Sequence, residues 1–269
     1  MPSMTTTNVS ERTLVDHRGP RVTSSHWRTY LVLAHTLSGS MQIVARATLG
    51  RLGRSDVDRV LHRWCEHIFE ISELALVVRG RENVEGADGA SLGPCVLLSN
   101  HVSLLDTPCI VASYPGSVRF VGKIELRRVP VFGKAMQDAG IVFVDRENRS
   151  KAIGQLEQAK LLLADGYALW VAAEGKRSRD GRLRAFKKGA FHIAVDLGVP
   201  IVPTWIQGTL DVIPPDQWKA STGQRITVAY GAPIATSKRA IPELLVEVRA
   251  AMLALARDCG APADVDGGA

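Results

Sequence analysis

One histidine and one aspartate stand five residues apart in a stretch that could do acid–base chemistry, Ser99-Asn100-His101-Val102-Ser103-Leu104-Leu105-Asp106. An imidazole held by a carboxylate keeps its second ring nitrogen free to take a proton from a hydroxyl. At about 100° per residue, positions i and i+5 fall on different faces of a continuous α-helix. The pair can therefore meet only if His101 lies in a turn and Asp106 in the first turn of the helix that follows. The preceding apolar run, Cys95-Val96-Leu97-Leu98, reads as a short buried strand that delivers the pair. The same residues support a plainer reading. Ser103-Leu104-Leu105-Asp106 fits the Ser/Thr-x-x-Asp/Glu pattern of a helix start, in which Asp106 serves backbone N–H groups and His101 is a loop histidine. The two readings are compatible, because a capped turn also fixes a carboxylate in place.

Other apolar runs also end in polar residues. Arg146 follows Gly140-Ile141-Val142-Phe143-Val144-Asp145, so its guanidinium can reach the same sheet edge as His101 and suits a bidentate phosphate contact. The alternative is a surface arginine paired to Asp145 or Glu147. The run Trp170-Val171-Ala172-Ala173 leads into Glu174-Gly175-Lys176-Arg177-Ser178. From Lys176 to Lys188 seven basic residues face one acid, Asp180, and such a loop at a strand end attracts phosphate. A solvated loop and a nucleic-acid patch are the alternatives. Only Phe186 interleaves the charges, which argues against stacking on single strands. Gly89-Ala90-Ser91-Leu92-Gly93 matches the hydrolase elbow G-x-S-x-G, but it precedes Pro94 and a strand instead of joining a strand to a helix. A serine esterase is discounted on that ground. The chain has neither a Gly-rich dinucleotide loop nor a P-loop.

The elements that must position these residues alternate. Short apolar runs at 73–80, 95–98, 118–122, 140–144, 168–172, 201–206 and 225–230 read as strands, and 150–165, 186–197 and 242–259 as helices. The expected fold is α/β, a single mostly parallel or mixed sheet flanked by helices, with active residues at strand ends. Val199-Pro200-Ile201-Val202-Pro203 brackets one short strand with prolines. Ahead of the sheet, residues 26–50 are apolar but broken by Arg28, His35, Gln42 and Arg46, so no clean run of about 18 residues could span a bilayer. Trp27 and Tyr30 at one end and Arg46, Arg51 and Arg54 at the other suit a membrane-interfacial helix, with a core helix as the alternative. Ser55 reads as the N-cap of a second amphipathic helix. His62 and His67 lack further ligands, so no metal site is expected there. The expected organisation is a loose tail at 1–25, a helical membrane-associating segment at 26–72, the α/β domain at 73–259 and a frayed tail at 260–269.

Composition narrows the partners. The 269 residues are 46% hydrophobic with a net charge of +6, a mean hydropathy of +0.04 and a pI near 9.3. This is a globular chain that favours an anionic partner: nucleic acid, an anionic membrane or a phosphorylated substrate. Cys65, Cys95, Cys109 and Cys259 form no C-x-x-C pair and read as reduced and structural, which fits a cytoplasmic protein. The first 25 residues lack the apolar core of a signal peptide.

Taken together, four ordered blocks resemble the glycerolipid acyltransferase superfamily, specifically the 1-acyl-sn-glycerol-3-phosphate (lysophosphatidic-acid) acyltransferases. The first is N-H-x-x-x-x-D at Asn100, His101 and Asp106. The second is carried by Lys123, Glu125, Leu126, Pro130, Gly133, Gly140, Phe143, Asp145 and Arg146. The third, F-P-E-G-T-R-S, is matched at Glu174, Gly175, Arg177 and Ser178. The fourth is Val199 to Pro203. Ala172-Ala173 replaces the usual Phe-Pro, and Lys176 the usual Thr. The resemblance spans roughly residues 73–235. It implies that His101 acts as general base on an acceptor hydroxyl and that Asp106 orients it. Lys123, Arg146, Glu174, Gly175 and Arg177 would hold the acceptor. It implies no bound cofactor and no metal, with acyl-CoA or acyl-carrier protein as co-substrate and a lysophospholipid as acceptor. The partners expected are an anionic membrane surface, reached from the cytoplasmic face, and no nucleic acid. The departures near Glu174 keep another lysolipid, such as lyso-ornithine lipid, as an alternative acceptor. The net charge keeps a non-catalytic basic membrane-binding module as an alternative class.

Overall fold

Unbroken apolar runs in the middle strands require a sheet covered on both faces. The computed structural model describes residues 11–15, 26–145, 148–217 and 221–268. In chain order the elements are β1 (Glu11–Val15), α1 (His26–Thr48), α2 (Arg54–Ser72), β2 (Ala75–Arg79), β3 (Val96–Ser99), α3 (Asp106–Ser113), β4 (Val118–Lys123) and α4 (Phe132–Asp138). They continue as β5 (Val142–Val144), α5 (Arg149–Ala164), β6 (Ala168–Ala172), α6 (Gly189–Leu197), β7 (Ile201–Gln207), α7 (Thr209–Val212), β8 (Arg225–Tyr230) and α8 (Ile241–Asp258). The eight strands form one mixed sheet in the order β1-β2-β8-β7-β3-β6-β4-β5. β7, β3, β6, β4 and β5 run parallel. β8 is antiparallel to β7, β2 is parallel to β8, and β1 is antiparallel to β2.

Strand alternation splits the core. Leu97 points into a cluster with Phe69 of α2 and Ile110 of α3. Val96 and Leu98 point the other way, towards Ala159 of α5, Phe191 of α6 and Val248 of α8. A third cluster joins Ile43 of α1 and Val57 of α2 to Met136 of α4 and Phe143 of β5. The N-terminal helices are thus packed on the sheet domain and are not a detached appendage.

One buried ion pair fastens that contact. Arg119 of β4 is 1% exposed. Its Nη1 donates to Asp58 Oδ1 of α2 at 2.7 Å and to the Val118 carbonyl at 2.9 Å. Removing one partner of a buried pair strands the other. Asp58→Ala is therefore expected to lower unfolding stability by about 3 kcal/mol, and urea denaturation measures it. A loss confined to a few tenths would show that the pair is dispensable.

The structure departs from the sequence-based expectation at several points. Residues 11–15, placed in the loose tail, form β1 on the open edge of β2; the rest of 1–25 lies outside the described residues. The second helix starts at Arg54 with Gly53, not Ser55, as N-cap, and the Asp56 carboxylate accepts the Gly53 N–H at 3.2 Å. Pro203 lies inside β7, opposite Leu98, because its carbonyl still accepts from Gly231 N–H at 2.8 Å. Ser91 pairs with Glu85 in an isolated antiparallel bridge, which removes it from any elbow. Residues 260–268 are tied down, not frayed. Val265 is 6% exposed, its carbonyl accepts from Leu183 N–H at 2.7 Å, and Asp266 pairs with Arg249.

Candidate active site

The parallel block brings several strand ends to one edge of the sheet. β3 ends at Ser99, β6 at Ala172, β7 at Gln207 and β4 at Lys123. Residues just past those ends converge, as is usual at the carboxyl edge of a parallel sheet.

His101 follows β3, and Asp106 is the first residue of α3. His101 Nδ1 lies 2.7 Å from Asp106 Oδ2. A carboxylate oxygen only accepts, so Nδ1 carries a proton, and in the neutral ring the lone pair is on Nε2. The same Oδ2 accepts the backbone N–H groups of Val102 at 2.7 Å and Ser103 at 2.9 Å. Asp106 therefore performs both roles suggested by the sequence: it serves the turn's amides and it holds the imidazole. Its other oxygen accepts the Thr209 hydroxyl at 2.6 Å. The Asp106 side chain is fully buried, whereas His101 keeps 14% of its side chain exposed. Trp170 of β6 meets the imidazole edge-on, with centroids 5.8 Å apart at 87°, and its indole N–H donates to Ser99 Oγ at 2.9 Å. The ring is thus fixed by a carboxylate at Nδ1 and by an indole against its plane.

The turn bearing His101 is pinned from both neighbouring strands. Asn100, 2% exposed, donates from Nδ2 to the Ile206 carbonyl at 2.9 Å and accepts the Ile206 N–H at Oδ1 at 2.8 Å. On the β6 side, Ser178 N–H donates to the His101 carbonyl at 2.7 Å. Ser103 Oγ donates to the Ile213 carbonyl at 2.7 Å.

Glu174, expected to hold the acceptor, is engaged by the protein's own backbone. It is 3% exposed. Oε1 accepts the His101 N–H at 3.4 Å and Oε2 the Arg184 N–H at 3.2 Å. Burial pushes its carboxyl up to about 7, against the opposing pull of those two amides and the Arg184 and Arg249 charges. Gly175 has φ +74°, and a Cβ there would sit 3.1 Å from Lys187 Cγ, so the turn after β6 requires glycine. Arg177 is half-buried, and its Nη1 donates to the Pro215 carbonyl at 2.9 Å. Lys123, two strands from β3, is exposed and paired with Glu125 at 3.2 Å. Arg146 lies outside the described residues. The structure therefore brings His101, Asp106 and Glu174 together, places Arg177 on the adjoining loop, and leaves Lys123 at the margin.

Thr209 and Trp170 were not identified from the sequence as parts of this site. The signal at Thr209 is faint: Gly208, with φ +95°, follows the end of β7, so a polar residue comes just after a buried strand there. Thr209→Val removes the only donor to Asp106 Oδ1 among the described residues. An unsatisfied buried acceptor costs about 1–3 kcal/mol. The expected result is that much lost stability together with a lower kcat at unchanged KM. Unaltered kcat would show that the second oxygen needs no partner.

Known proteins match this chain over much of its length. The acyltransferase family model matches residues 75–207. The human 1-acyl-sn-glycerol-3-phosphate acyltransferase alpha is 31% identical over 74% of this chain and 70% of its own. The Saccharomyces cerevisiae 1-acyl-sn-glycerol-3-phosphate acyltransferase is 30% identical over 86% of this chain and 76% of its own. The chain spans only 38% of the chloroplastic Brassica napus relative, at 38% identity. The crystal structure of the Thermotoga maritima 1-acyl-sn-glycerophosphate acyltransferase superposes with a TM-score of 0.72 at 26% identity, covering 88% of this chain and 95% of that one. A His/Asp pair at the carboxyl edge of a mixed sheet and relatives that match across most of both lengths lead to one assignment: this chain belongs to the 1-acyl-sn-glycerol-3-phosphate acyltransferase family.

Proposed function

We propose that the protein transfers a fatty acyl group from an acyl thioester to the free hydroxyl of 1-acyl-glycerol-3-phosphate, giving phosphatidic acid. The observation that carries this is the 2.7 Å contact between His101 Nδ1 and Asp106 Oδ2, which leaves Nε2 as a base. Nε2 takes the acceptor's hydroxyl proton while the oxygen attacks the thioester carbonyl. The tetrahedral adduct collapses, the C–S bond breaks, and the imidazolium returns the proton to the leaving thiolate. Asp106 holds the Nδ1–H tautomer and offsets the transient imidazolium charge. No enzyme nucleophile and no bound cofactor takes part. The acyl group arrives on coenzyme A or acyl-carrier protein as co-substrate.

For the acceptor's phosphate, the guanidinium of Arg177, the Gly175 turn and the surrounding basic loop are suited by charge. Lys123 and Arg146 add positive charge for the same phosphate. Glu174 acts through the backbone it fastens. Among the described residues no helix is long and apolar enough to cross a membrane. α1 instead exposes Tyr30, Leu33, Leu37 and Met41 at helical spacing, each at least half exposed, which supports a helix lying in the interface of the cytoplasmic leaflet. An acceptor panel tests the reading: thioester-dependent acylation of lysophosphatidic acid supports it. Turnover of lyso-ornithine lipid alone replaces the acceptor, and no acylation of any lysolipid returns the chain to a binding module.

A further inference from the structure

A second layer of contacts stands behind Glu174. Residues 183–187 lead from the basic loop towards α6, and their backbone is engaged from two directions. Towards the site, Arg184 N–H donates to Glu174 Oε2 at 3.2 Å and Lys187 N–H to the Ala173 carbonyl at 2.8 Å. On the other side, Leu183 forms an isolated parallel bridge with Asp266. Its N–H donates to the Val265 carbonyl at 2.7 Å, and its carbonyl accepts the Gly267 N–H at 3.1 Å. The segment that reaches Glu174 is therefore backed by residues 265–267.

Arg249 of α8 ties these parts together. Only 14% of its side chain is exposed. Nη1 donates to the Arg184 carbonyl at 3.0 Å. Nη2 is shared among the Leu183 and Gly268 carbonyls, both at 2.9 Å, and the Asp266 carboxylate. The guanidinium also lies over the Phe186 ring, 5.4 Å from its centroid, within cation–π reach. A rigid planar fork can hold several oxygens in fixed directions at once, which an ammonium on a flexible stem cannot. Burial raises the Glu174 carboxyl, and the Arg249 charge is one of the groups that pull it back. Arg249 thus holds the residue whose N–H engages Glu174, and Glu174 Oε1 in turn accepts the His101 N–H at 3.4 Å.

We propose that Arg249 is a positioning residue for acyl transfer: it fixes the Leu183–Arg184 backbone so that Glu174 keeps the His101 turn in place. Arg249 stands on α8, beyond the segment 75–207 that the family model matches. The inference rests on the acyl-transfer reading given above. The plainer role, a fastener of residues 265–268 alone, differs from it in what happens to the rate.

The experiment measures kcat and acceptor KM for thioester-dependent acylation of lysophosphatidic acid by the full chain, with thermal unfolding of each protein. The variants are Arg249→Met, Glu174→Gln and the two combined. Arg239→Gln is the control, because it breaks a different ion pair, Arg239 with Glu247 of α8 at 2.6 Å. Arg249→Met is expected to lower kcat by about tenfold to a hundredfold, the scale on which displacing a catalytic group costs rate, at unchanged acceptor KM. Glu174→Gln lowers kcat as well. The combined variant is no slower than the slower single one, because both substitutions act on one chain of contacts. Arg239→Gln keeps the wild-type kcat. If Arg249→Met does not fold, Arg249→Lys takes its place: it keeps the charge but not the fork, and its kcat should fall at least about threefold with the same lack of additivity. Wild-type kcat in a folded Arg249 variant overturns the proposal. So do losses that multiply in full in the combined variant, and a raised acceptor KM at unchanged kcat. An equal loss in Arg239→Gln also overturns it, since general loosening of α8 would then suffice. A wild type that acylates no lysolipid overturns the acyl-transfer reading together with this inference, whereas an active wild type confines any failure to Arg249.

Discussion

Replacing His101 with alanine is expected to cut thioester-dependent acylation of lysophosphatidic acid by about 10²–10⁴-fold, the usual contribution of a positioned general base. The fold should tolerate the change. His101 is on a turn, keeps part of its side chain exposed, and is held there through its backbone by Ser178 and Glu174. Asp106→Asn makes the companion test, because its hydrogen bonds can be largely preserved. With the amide oxygen in the place of Oδ2, the Val102 and Ser103 amides and His101 Nδ1–H still find an acceptor. The new NH₂ then faces Thr209 Oγ1, whose hydroxyl can rotate and accept. What disappears is the negative charge that offsets the imidazolium. Asp106→Asn should therefore lower kcat by on the order of 10²-fold, with acceptor KM little changed. Rates measured at saturating thioester, alongside thermal unfolding of each variant, decide the matter. Full activity in a folded His101→Ala protein would remove the base from the mechanism.

The second large effect is on stability, and it comes from Glu174. In the unfolded chain its carboxyl titrates at the ordinary value of 4.5; in the folded protein burial pushes it up to about 7. Between those two pH values the folded state holds a proton that the unfolded state has released. Folding is therefore favoured at the acid end, and stability is lost as pH rises through the window. Above it the penalty is complete, on the order of 3 kcal/mol. Glu174→Gln cannot ionise, so it should be free of this loss. It also presents only one oxygen to the two amides of His101 and Arg184, at a pH-independent cost of about 1–3 kcal/mol. Urea denaturation at pH 5 and pH 8 separates the two effects. The variant should be the weaker protein at pH 5 and should gain on the wild type by about 3 kcal/mol at pH 8. A wild-type-minus-variant difference that does not change with pH would show that the carboxyl titrates normally in the fold.

The sequence alone determined what depends on neighbours a few residues apart. The spacing of His101 and Asp106 requires a turn followed by a helix start, and α3 begins at Asp106. The apolar runs at 168–172 and 225–230 coincide with β6 and β8, because strands buried over most of their length leave a clear local pattern. Only the tertiary structure decided which distant residues complete the site. Thr209 reaches Asp106 across 103 residues of chain, and Asn100 reaches Ile206 across 106, solely because β7 lies beside β3. Periodicity says that a strand is buried but not which strand is its neighbour. Glu174 sat in a motif that suggested a ligand contact, yet the Arg184 and His101 amides take both its oxygens once the loops after β3 and β6 fold over it. The strand β1 and the C-terminal residues 260–268 were equally hidden. Their own composition is weakly structured, and each is held by a partner, the β2 edge or Leu183 and Arg249, that exists only after the rest of the chain has folded.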